Sequence, residues 1–313
     1  KFRGDVSILK PGLRMLEEKI NTSVLGVIPY FHLDIEDEDS LTERFRKKSR
    51  SGLAKIAVIR LPRISNFTDI APLEAVDELD VSYVSNISQF GDPDVVIIPG
   101  SKNTISDLLW MRQNGLEGKI LRHAAKGGIV FGICGGYQML GQSISDPTGA
   151  EQKGTVRGMG LLPVTTVFEQ EKRRTRVSGR FAKVGGALAE MSGVCYEGYE
   201  IHMGRTVLSK GTVPLVYMEE EGEQRQDGAQ SDHVYGCYMH GIFDMSETVK
   251  TFLAAVLRKK GIDPSKITVR DRNAYKEEQY DRLASIVREN LNMEAVYKII
   301  EKGNEASCSL LSE

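Results

Sequence analysis

Short apolar runs alternate with helix-like segments through the middle of the chain. The runs predict buried strands at residues 56–61, 81–84, 95–98 and 129–131. The segments between them predict helices around residues 73–79, 104–115 and 120–125. Strands that alternate with helices indicate an α/β fold with a doubly wound, mostly parallel sheet and helices on both faces. Functional sites in such a fold lie at the carboxyl ends of the strands.

The pattern changes on both sides of this region. Before it, residues 13–20 predict a helix and residues 24–28 predict a buried strand. Because one helix and one strand cannot bury a core alone, we interpret residues 1–50 as the remnant of another domain, including a charged linker. After residue 154, short alternating runs predict strands, and the polar residues 219–232 predict an exposed loop. Helices are then predicted at residues 248–259, 277–290 and 293–302.

Composition limits the class of protein. The chain has 313 residues, 41% of them hydrophobic, and a formal net charge of -2, which gives no electrostatic reason to expect nucleic acid or an anionic membrane surface as a partner. No apolar stretch approaches the ~20 residues of a membrane span, and no signal peptide is visible. The four cysteines are scattered without a CxxC pair. This spacing predicts neither a zinc site nor a disulfide framework, and it favours a reducing cytoplasm.

The strongest candidate for chemistry is the segment Gly132-Ile133-Cys134-Gly135-Gly136. An apolar strand, a turn with flanking glycines and a helix start form the pattern of a nucleophile elbow, with Cys in place of Ser. The helix N-terminus favours the thiolate form of Cys134, and the N–H of Gly135 is placed to stabilise an oxyanion. The alternative interpretation is a small buried cysteine that packs like an alanine.

A cysteine nucleophile needs a base within hydrogen-bond reach. His240 is the best candidate because it follows a predicted strand and precedes a Gly turn, and His202 is the second candidate for the same reason. Gly100 and Ser101, at the end of the 95–98 strand, are candidates for a second oxyanion donor. Each of these residues also has a purely structural interpretation, and it is the pairing with Cys134 that favours His240.

Several motifs together resemble a known family. Residues 132–138 (GICGGYQ) and 238–241 (YMHG) resemble the class I glutamine amidotransferases. The match narrows to the cobyric acid synthase family with further motifs: RISNFTD at 63–69, PGSKNT at 99–104, GYEIHMG at 198–204 and HGIFD at 240–244. The resemblance implies three regions: residues 1–50 from an ATP-dependent domain, 52–262 as the amidotransferase domain with a flavodoxin-like core, and 263–313 as a helical extension.

The resemblance also implies a reaction. Cys134 would attack the side-chain amide of glutamine, form a glutamyl thioester and release ammonia, with His240 acting as base and then as acid. The ammonia would pass to a carboxylate of adenosylcobyrinic acid a,c-diamide, a corrinoid acceptor bound through the missing part of the ATP domain. This chain alone is expected to bind no cofactor or metal, whereas ATP and Mg are expected in the full-length enzyme.

The family motifs imply further site residues. Backbone oxyanion donors are expected at Gly135 and at Gly100 or Ser101, and contacts with bound glutamine are expected from Gln138 and Arg176. An arginine can hold a carboxylate through two parallel hydrogen bonds.

The third member of the catalytic group stays open at this point. The wider superfamily has a carboxylate two residues after the histidine, where this chain has Ile242. The pair could therefore work as a dyad or use Asp244 or Glu200. Two other functions also stay open: the glutaminase part of another ligase, such as cobyrinic acid a,c-diamide synthase or the enzyme that amidates lipid II, and a non-catalytic interaction domain.

Overall fold

A computed structural model describes residues 2–31, 33, 52–220, 223–267, 269 and 272–309. The chain divides into two compact units. One unit combines the two ends of the chain, Lys1–Glu36 and Asn273–Glu313, and the other is formed by Asp37–Arg272. The domain boundaries drawn from the sequence stay a prediction.

The helices and strands are numbered in chain order. The helices are α1 (Val6–Ile20), α2 (Ala71–Glu74), α3 (Thr104–Gln113), α4 (Leu116–Ala125), α5 (Gly135–Leu140), α6 (Ser246–Lys259), α7 (Arg272–Asn290) and α8 (Met293–Ser309). The strands of the first half are β1 (Ala54–Ile59), β2 (Ile64–Ser65), β3 (Leu79–Val84), β4 (Val95–Ile98), β5 (Gly100–Ser101), β6 (Ile129–Ile133) and β7 (Ser143–Asp146). The strands of the second half are β8 (Gly154–Arg157), β9 (Val164–Phe181), β10 (Cys195–Leu208), β11 (Val216–Glu220), β12 (Glu223–Asp227), β13 (Ala229–Ser231) and β14 (Val234–Cys237).

The central sheet confirms the predicted α/β class. Its order is β13-β14-β6-β4-β1-β3, and all of its pairs are parallel except β13 with β14. The four residues of β4 are completely buried, as expected of a central parallel strand with both faces covered. The order places the end of β6, where Cys134 follows, between the ends of β14 and β4. The helices α7 and α8 form the predicted helical tail.

The β-rich region after residue 154 forms most of a second sheet, which β7 also joins. Its order is β12-β11-β9-β7-β8, and β10 also pairs with β9. The short predicted runs join into two long strands, β9 with 18 residues and β10 with 14. The prediction of an exposed loop over 219–232 is wrong, because this segment contains β12 and β13. Polar residues form a strand here because β12 pairs with β11 along its whole length.

The first segment also differs from its prediction. Helix α1 begins at Val6, seven residues before the predicted start, and it contains Pro11. Its N-cap is Asp5, whose carboxylate accepts a hydrogen bond from the Ser7 amide at 2.8 Å. The predicted strand at 24–28 is not a strand of a sheet, and it makes one isolated bridge, Gly26 with Leu291. The predicted charged linker, with acidic residues at 34–39 and basic residues at 44–50, lies outside the described residues. Within the described ranges, no helix is both long enough and apolar enough to cross a membrane.

Helix α5 packs directly against β4, and a glycine permits this contact. A Cβ atom on Gly136 would lie 2.0 Å from the carbonyl oxygen of Ile98. Backbone atoms cannot move aside as a flexible side chain can, so any larger residue would push α5 away from the sheet. Gly136 therefore sets the distance between the sheet and the turn that carries Cys134.

We predict opposite effects for two Gly→Ala substitutions. Gly136→Ala should lower the free energy of unfolding by about 2 kcal/mol or more because of the clash with Ile98. Gly118→Ala should raise it by up to about 1 kcal/mol, because Gly118 lies within α4 and an added Cβ would meet nothing closer than 3.7 Å. Urea unfolding measures both changes. Equal effects of the two substitutions would contradict the role given to Gly136.

Candidate active site

Cys134 lies at a strained turn between β6 and α5. Its backbone has φ 51° and ψ -107°, in a region that residues with a side chain rarely occupy. The turn is fixed on one side by β14, since the Cys134 amide donates to the carbonyl oxygen of Cys237 at 2.8 Å. On the other side, the Gln138 amide donates to the carbonyl oxygen of Cys134 at 3.1 Å. This is the geometry of the predicted nucleophile elbow.

The predicted oxyanion segments lie next to this turn. A Cβ atom on Gly135 would lie 3.0 Å from the amide nitrogen of Ser101, and one on Gly100 would lie 3.1 Å from Cε1 of His240. The backbone at Gly100–Ser101 is held by antiparallel pairing of β5 with β2. The structure therefore brings Gly100, Ser101 and Gly135 together around the nucleophile turn, although their role as oxyanion donors stays a prediction.

His240 is held by a carboxylate that the sequence did not indicate. Its Nδ1 lies 2.7 Å from Oδ2 of Asp69, and the other oxygen of Asp69 accepts a hydrogen bond from the Gly241 amide at 2.9 Å. His240 is completely buried and Asp69 is 3% exposed. If Nδ1 carries the proton and donates it to Asp69, the lone pair of Nε2 is available. A general base needs this tautomer of the imidazole.

Strand β10 holds the same imidazole from a second direction. Tyr199 and His240 exchange two backbone hydrogen bonds of 3.1 and 2.9 Å, and their rings stack with centroids 5.3 Å apart. A Cβ atom on Gly198 would lie 2.1 Å from the carbonyl oxygen of His240. The glycine and the tyrosine at the start of the GYEIHMG motif therefore both serve to position His240.

Charge governs the protonation of His240. Burial disfavours the imidazolium, but the Asp69 carboxylate and the Cys134 sulfur outweigh burial and raise the pKa of His240 to about 10. The arrangement therefore favours a charged imidazolium between Asp69 and the cysteine sulfur.

Cys134 opens onto a cavity of about 320 Å³. Its sulfur lies 3.7 Å from the carbonyl oxygen of Ile201, and Gln138 forms part of the same wall. The side chain of Gln138 accepts from Thr104 Oγ1 and donates to the Tyr238 hydroxyl, both at 3.1 Å. These bonds fix its orientation at the cavity surface. The cavity has the size of a site for a small molecule.

Three other predicted residues are not at this cavity. Arg176 lies on β9 with an exposed side chain because the alternation of the strand turns its neighbour Val177 inward, so its role with glutamine stays a prediction. Asp244 is exposed, and its amide donates to the Gly241 carbonyl oxygen. Neither Asp244 nor Glu200 supplies the carboxylate that contacts His240, because Asp69 occupies that position.

Glu200 is buried and belongs to a separate ion cluster with two half-exposed arginines. Its Oε2 lies 2.5 Å from Arg225 and 3.0 Å from Arg173, and its Oε1 lies 3.7 Å from Nε2 of His202. Burial would raise the pKa of Glu200, but His202 and Arg225 lower it to about 2. His202, the second candidate for the base, is thus directed toward Glu200 and stacks on Tyr238.

Asp69 was not predicted as a site residue because neither an apolar strand nor flanking glycines mark its position. It lies in a short 3-10 turn, Phe67–Ile70, just before α2, 171 residues from His240 in sequence. The helix predicted at 73–79 is shorter and begins earlier, because α2 has only four residues and follows this turn directly. The RISNFTD motif ends on Asp69 and was the one available signal.

Comparisons with known proteins give the family of the chain. The model of the CobB/CobQ-like glutamine amidotransferase domain matches residues 55–248. The chain therefore belongs to the family of proteins with a CobB/CobQ-like glutamine amidotransferase domain. That range includes the nucleophile turn, His240 and Asp69.

Relatives with longer chains are also similar. A protein named cobyric acid synthase from Ruminiclostridium cellulolyticum is 54% identical over 97% of this chain and 60% of the relative. The protein of the same name from Lachnoclostridium phytofermentans is 45% identical over 97% of this chain and 62% of the relative. The chain thus spans about three fifths of their length. Among solved structures, PurLQS from Thermotoga maritima aligns over 66% of this chain and 99% of that chain, with a TM-score of 0.48 and 16% identity.

We predict that Asp69→Asn lowers the pKa of His240. The neutral amide removes the nearest negative charge, whereas burial continues to disfavour the imidazolium. The pKa should therefore fall clearly below 10, as measured by NMR titration of the His240 ring nitrogens. Asp244→Asn is the matched control and should leave the titration unchanged. Equal titration curves for the wild type and Asp69→Asn would show that Asp69 does not act on the imidazole.

Proposed function

We propose that this chain releases ammonia from the side-chain amide of glutamine at Cys134. The observation that carries the proposal is the constellation of a strained cysteine, a buried imidazole held by a carboxylate, and an adjacent cavity. Membership of a glutamine amidotransferase family supports glutamine as the substrate. The cavity volume supports a substrate of the size of a single amino acid.

In the first step, the Cys134 thiolate attacks the amide carbon of glutamine. The resulting oxyanion is stabilised by backbone N–H groups of Gly135 and of the Gly100–Ser101 segment. The carbon–nitrogen bond then breaks, and the leaving nitrogen takes a proton from Nε2 of His240 and departs as ammonia. A glutamyl thioester on Cys134 remains.

In the second step, water hydrolyses the thioester. The neutral His240 takes a proton from the attacking water, the carbon–sulfur bond breaks, and glutamate leaves while the thiolate is regenerated. The Asp69 carboxylate stabilises each imidazolium that forms. Asp69 is thus a positioning residue, since it acts through His240.

The names of the similar proteins support a particular acceptor. We infer that the ammonia serves an ATP-dependent ligase that converts adenosylcobyrinic acid a,c-diamide to cobyric acid in cobalamin biosynthesis. ATP, Mg and the corrinoid acceptor would bind to the part of the relatives that this chain does not match. The identity of 54% to a cobyric acid synthase favours this acceptor over lipid II.

We place this activity in the cytoplasm. Cys134, Cys195 and Cys237 are free thiols, which supports a reducing compartment. The substrate glutamine and the acceptor are small molecules, and the proposal involves neither nucleic acid nor a membrane.

We predict that Cys134→Ser lowers ammonia release from glutamine roughly 10³-fold or more, since an unactivated hydroxyl is a much weaker nucleophile than a thiolate. A coupled glutamate dehydrogenase assay measures the rate. Cys195→Ser is the matched control, because Cys195 is an exposed free cysteine away from the cavity, and it should retain the wild-type rate. Full activity of Cys134→Ser would exclude this mechanism and favour a non-catalytic domain.

A further inference from the structure

A buried carboxylate contacts the segment that carries the predicted oxyanion donors. Asp107 lies in the first turn of α3, it is completely buried, and the hydrolysis steps described above do not use it. A buried carboxylate costs desolvation free energy unless hydrogen-bond donors compensate for it. The donors that surround Asp107 therefore indicate which parts of the chain it holds in place.

Two segments donate hydrogen bonds to the same oxygen of Asp107. The Ser101 hydroxyl donates to Oδ2 at 2.7 Å, and the Arg63 amide donates to Oδ2 at 3.2 Å. The Arg63 guanidinium lies 3.4 Å from Oδ1, but its side chain is half-exposed, so this ion pair contributes little to stability. The N-terminal position in α3 also favours a negative charge. Asp107 thus connects β5 and the residue before β2 to α3.

The Ser101 hydroxyl is fixed from two sides. Besides donating to Asp107, it accepts a hydrogen bond from the Asn103 amide at 3.0 Å. A hydroxyl that both donates and accepts in this way has a defined orientation. Because the hydroxyl is one bond removed from Cβ, these two contacts also restrict the backbone of Ser101.

The pairing of β2 with β5 directs the Ser101 amide toward the nucleophile turn. The Lys102 amide donates to the Arg63 carbonyl oxygen at 2.8 Å, and the next pair along the ladder is Ser101 with Ile64. Since bonded and unbonded pairs alternate along an antiparallel ladder, the Ser101 amide points away from β2. It lies instead on the side of Gly135, whose Cβ position is 3.0 Å from the Ser101 nitrogen.

The other parts of the site are held by different contacts. His240 is held by Asp69 and by β10, and the Cys134 amide is bonded to β14. None of these contacts involves Asp107. A substitution of Asp107 should therefore displace the Ser101 amide while the cysteine and the imidazole keep their places.

We propose that Asp107 is a positioning residue that fixes the Ser101 amide as an oxyanion donor. This inference rests on the proposed function, because the oxyanion forms when Cys134 attacks the amide of glutamine. An oxyanion donor stabilises the transition state more than the bound substrate. A displacement of about 1 Å in a reacting constellation can cost roughly 10²-fold in rate. Asp107 itself does not touch the substrate, since it acts through Ser101.

Steady-state kinetics and alkylation of the same sulfur test the proposal together. We predict that Asp107→Ala lowers kcat for ammonia release about 10- to 100-fold and leaves KM within about threefold of the wild type. Iodoacetamide alkylates Cys134 by displacement of iodide and forms no oxyanion, so the rate of this labelling should stay within about twofold. A coupled glutamate dehydrogenase assay measures kcat and KM, and peptide mass spectrometry measures the labelling rate.

Two further variants complete the experiment. Asp92→Ala is the matched control, because it removes an aspartate from an exposed loop position, and it should equal the wild type in all three quantities. Ser101→Ala removes the hydroxyl that donates to Asp107 but keeps the backbone amide. It should also lower kcat with KM and labelling unchanged, and it carries the test if Asp107→Ala does not fold. The double variant should be no slower than Asp107→Ala alone.

The contrary outcomes are distinct. If both single variants keep the wild-type kcat, or if labelling by iodoacetamide falls as much as kcat, Asp107 only supports the fold and the proposal is wrong. If the effects of Asp107→Ala and Ser101→Ala multiply, Asp107 does not act through Ser101. The proposed function itself fails if the wild type releases no ammonia and the glutamine analogue 6-diazo-5-oxo-L-norleucine does not label Cys134, although iodoacetamide does.

Discussion

The hydrogen bonds of one buried carboxylate connect two distant parts of the chain. Asp69 follows the first strand of the central sheet, and it accepts from both the ring of His240 and the amide of Gly241. These contacts fix the tautomer of the imidazole, its orientation and the turn that carries it. The loss of either partner would leave a buried charge without compensation, which is far more costly than the net gain from the pair. The fold and the catalytic geometry therefore depend on the same contact.

The cysteine at the opposite side of the site is held by strain. A non-glycine residue with positive φ costs roughly 1–3 kcal/mol, and it persists only because the surrounding contacts determine the turn. Gly136 lets α5 approach β4, and the Cys134 amide is bonded to β14. The sulfur is thus held at the end of a parallel sheet, where the neighbouring loops carry the oxyanion segments. Rigid strands position the nucleophile more accurately than a free loop would.

The sequence indicated the parts of this site that have a local pattern. Cys134 could be predicted because an apolar strand and close glycines identify an elbow, and His240 because it ends a strand before a glycine. The central sheet followed from its alternating strands and helices. Each of these signals lies within about a dozen residues, so a single sequence is enough to find it.

The remaining parts depend on contacts between distant segments. Asp69 lies in a turn with no periodic pattern, and only the fold brings it to His240. The sequence predicted only short strands in the second sheet. The polar residues of β9 and β12 have little intrinsic preference for a strand, and their pairing with neighbouring strands determines their extended conformation. Suitable chemistry alone also does not reveal where a side chain lies: strand alternation turns Arg176 outward, and two arginines hold Glu200.

A double-mutant cycle tests the Asp69–His240 contact most directly. The rate of Cys134 labelling by 6-diazo-5-oxo-L-norleucine would be measured for the wild type, Asp69→Asn, His240→Ala and the double variant. If Asp69 acts through His240, each single substitution slows labelling and the double variant is no slower than His240→Ala alone. If the two effects multiply, Asp69 and His240 act independently, which would contradict the catalytic geometry described above.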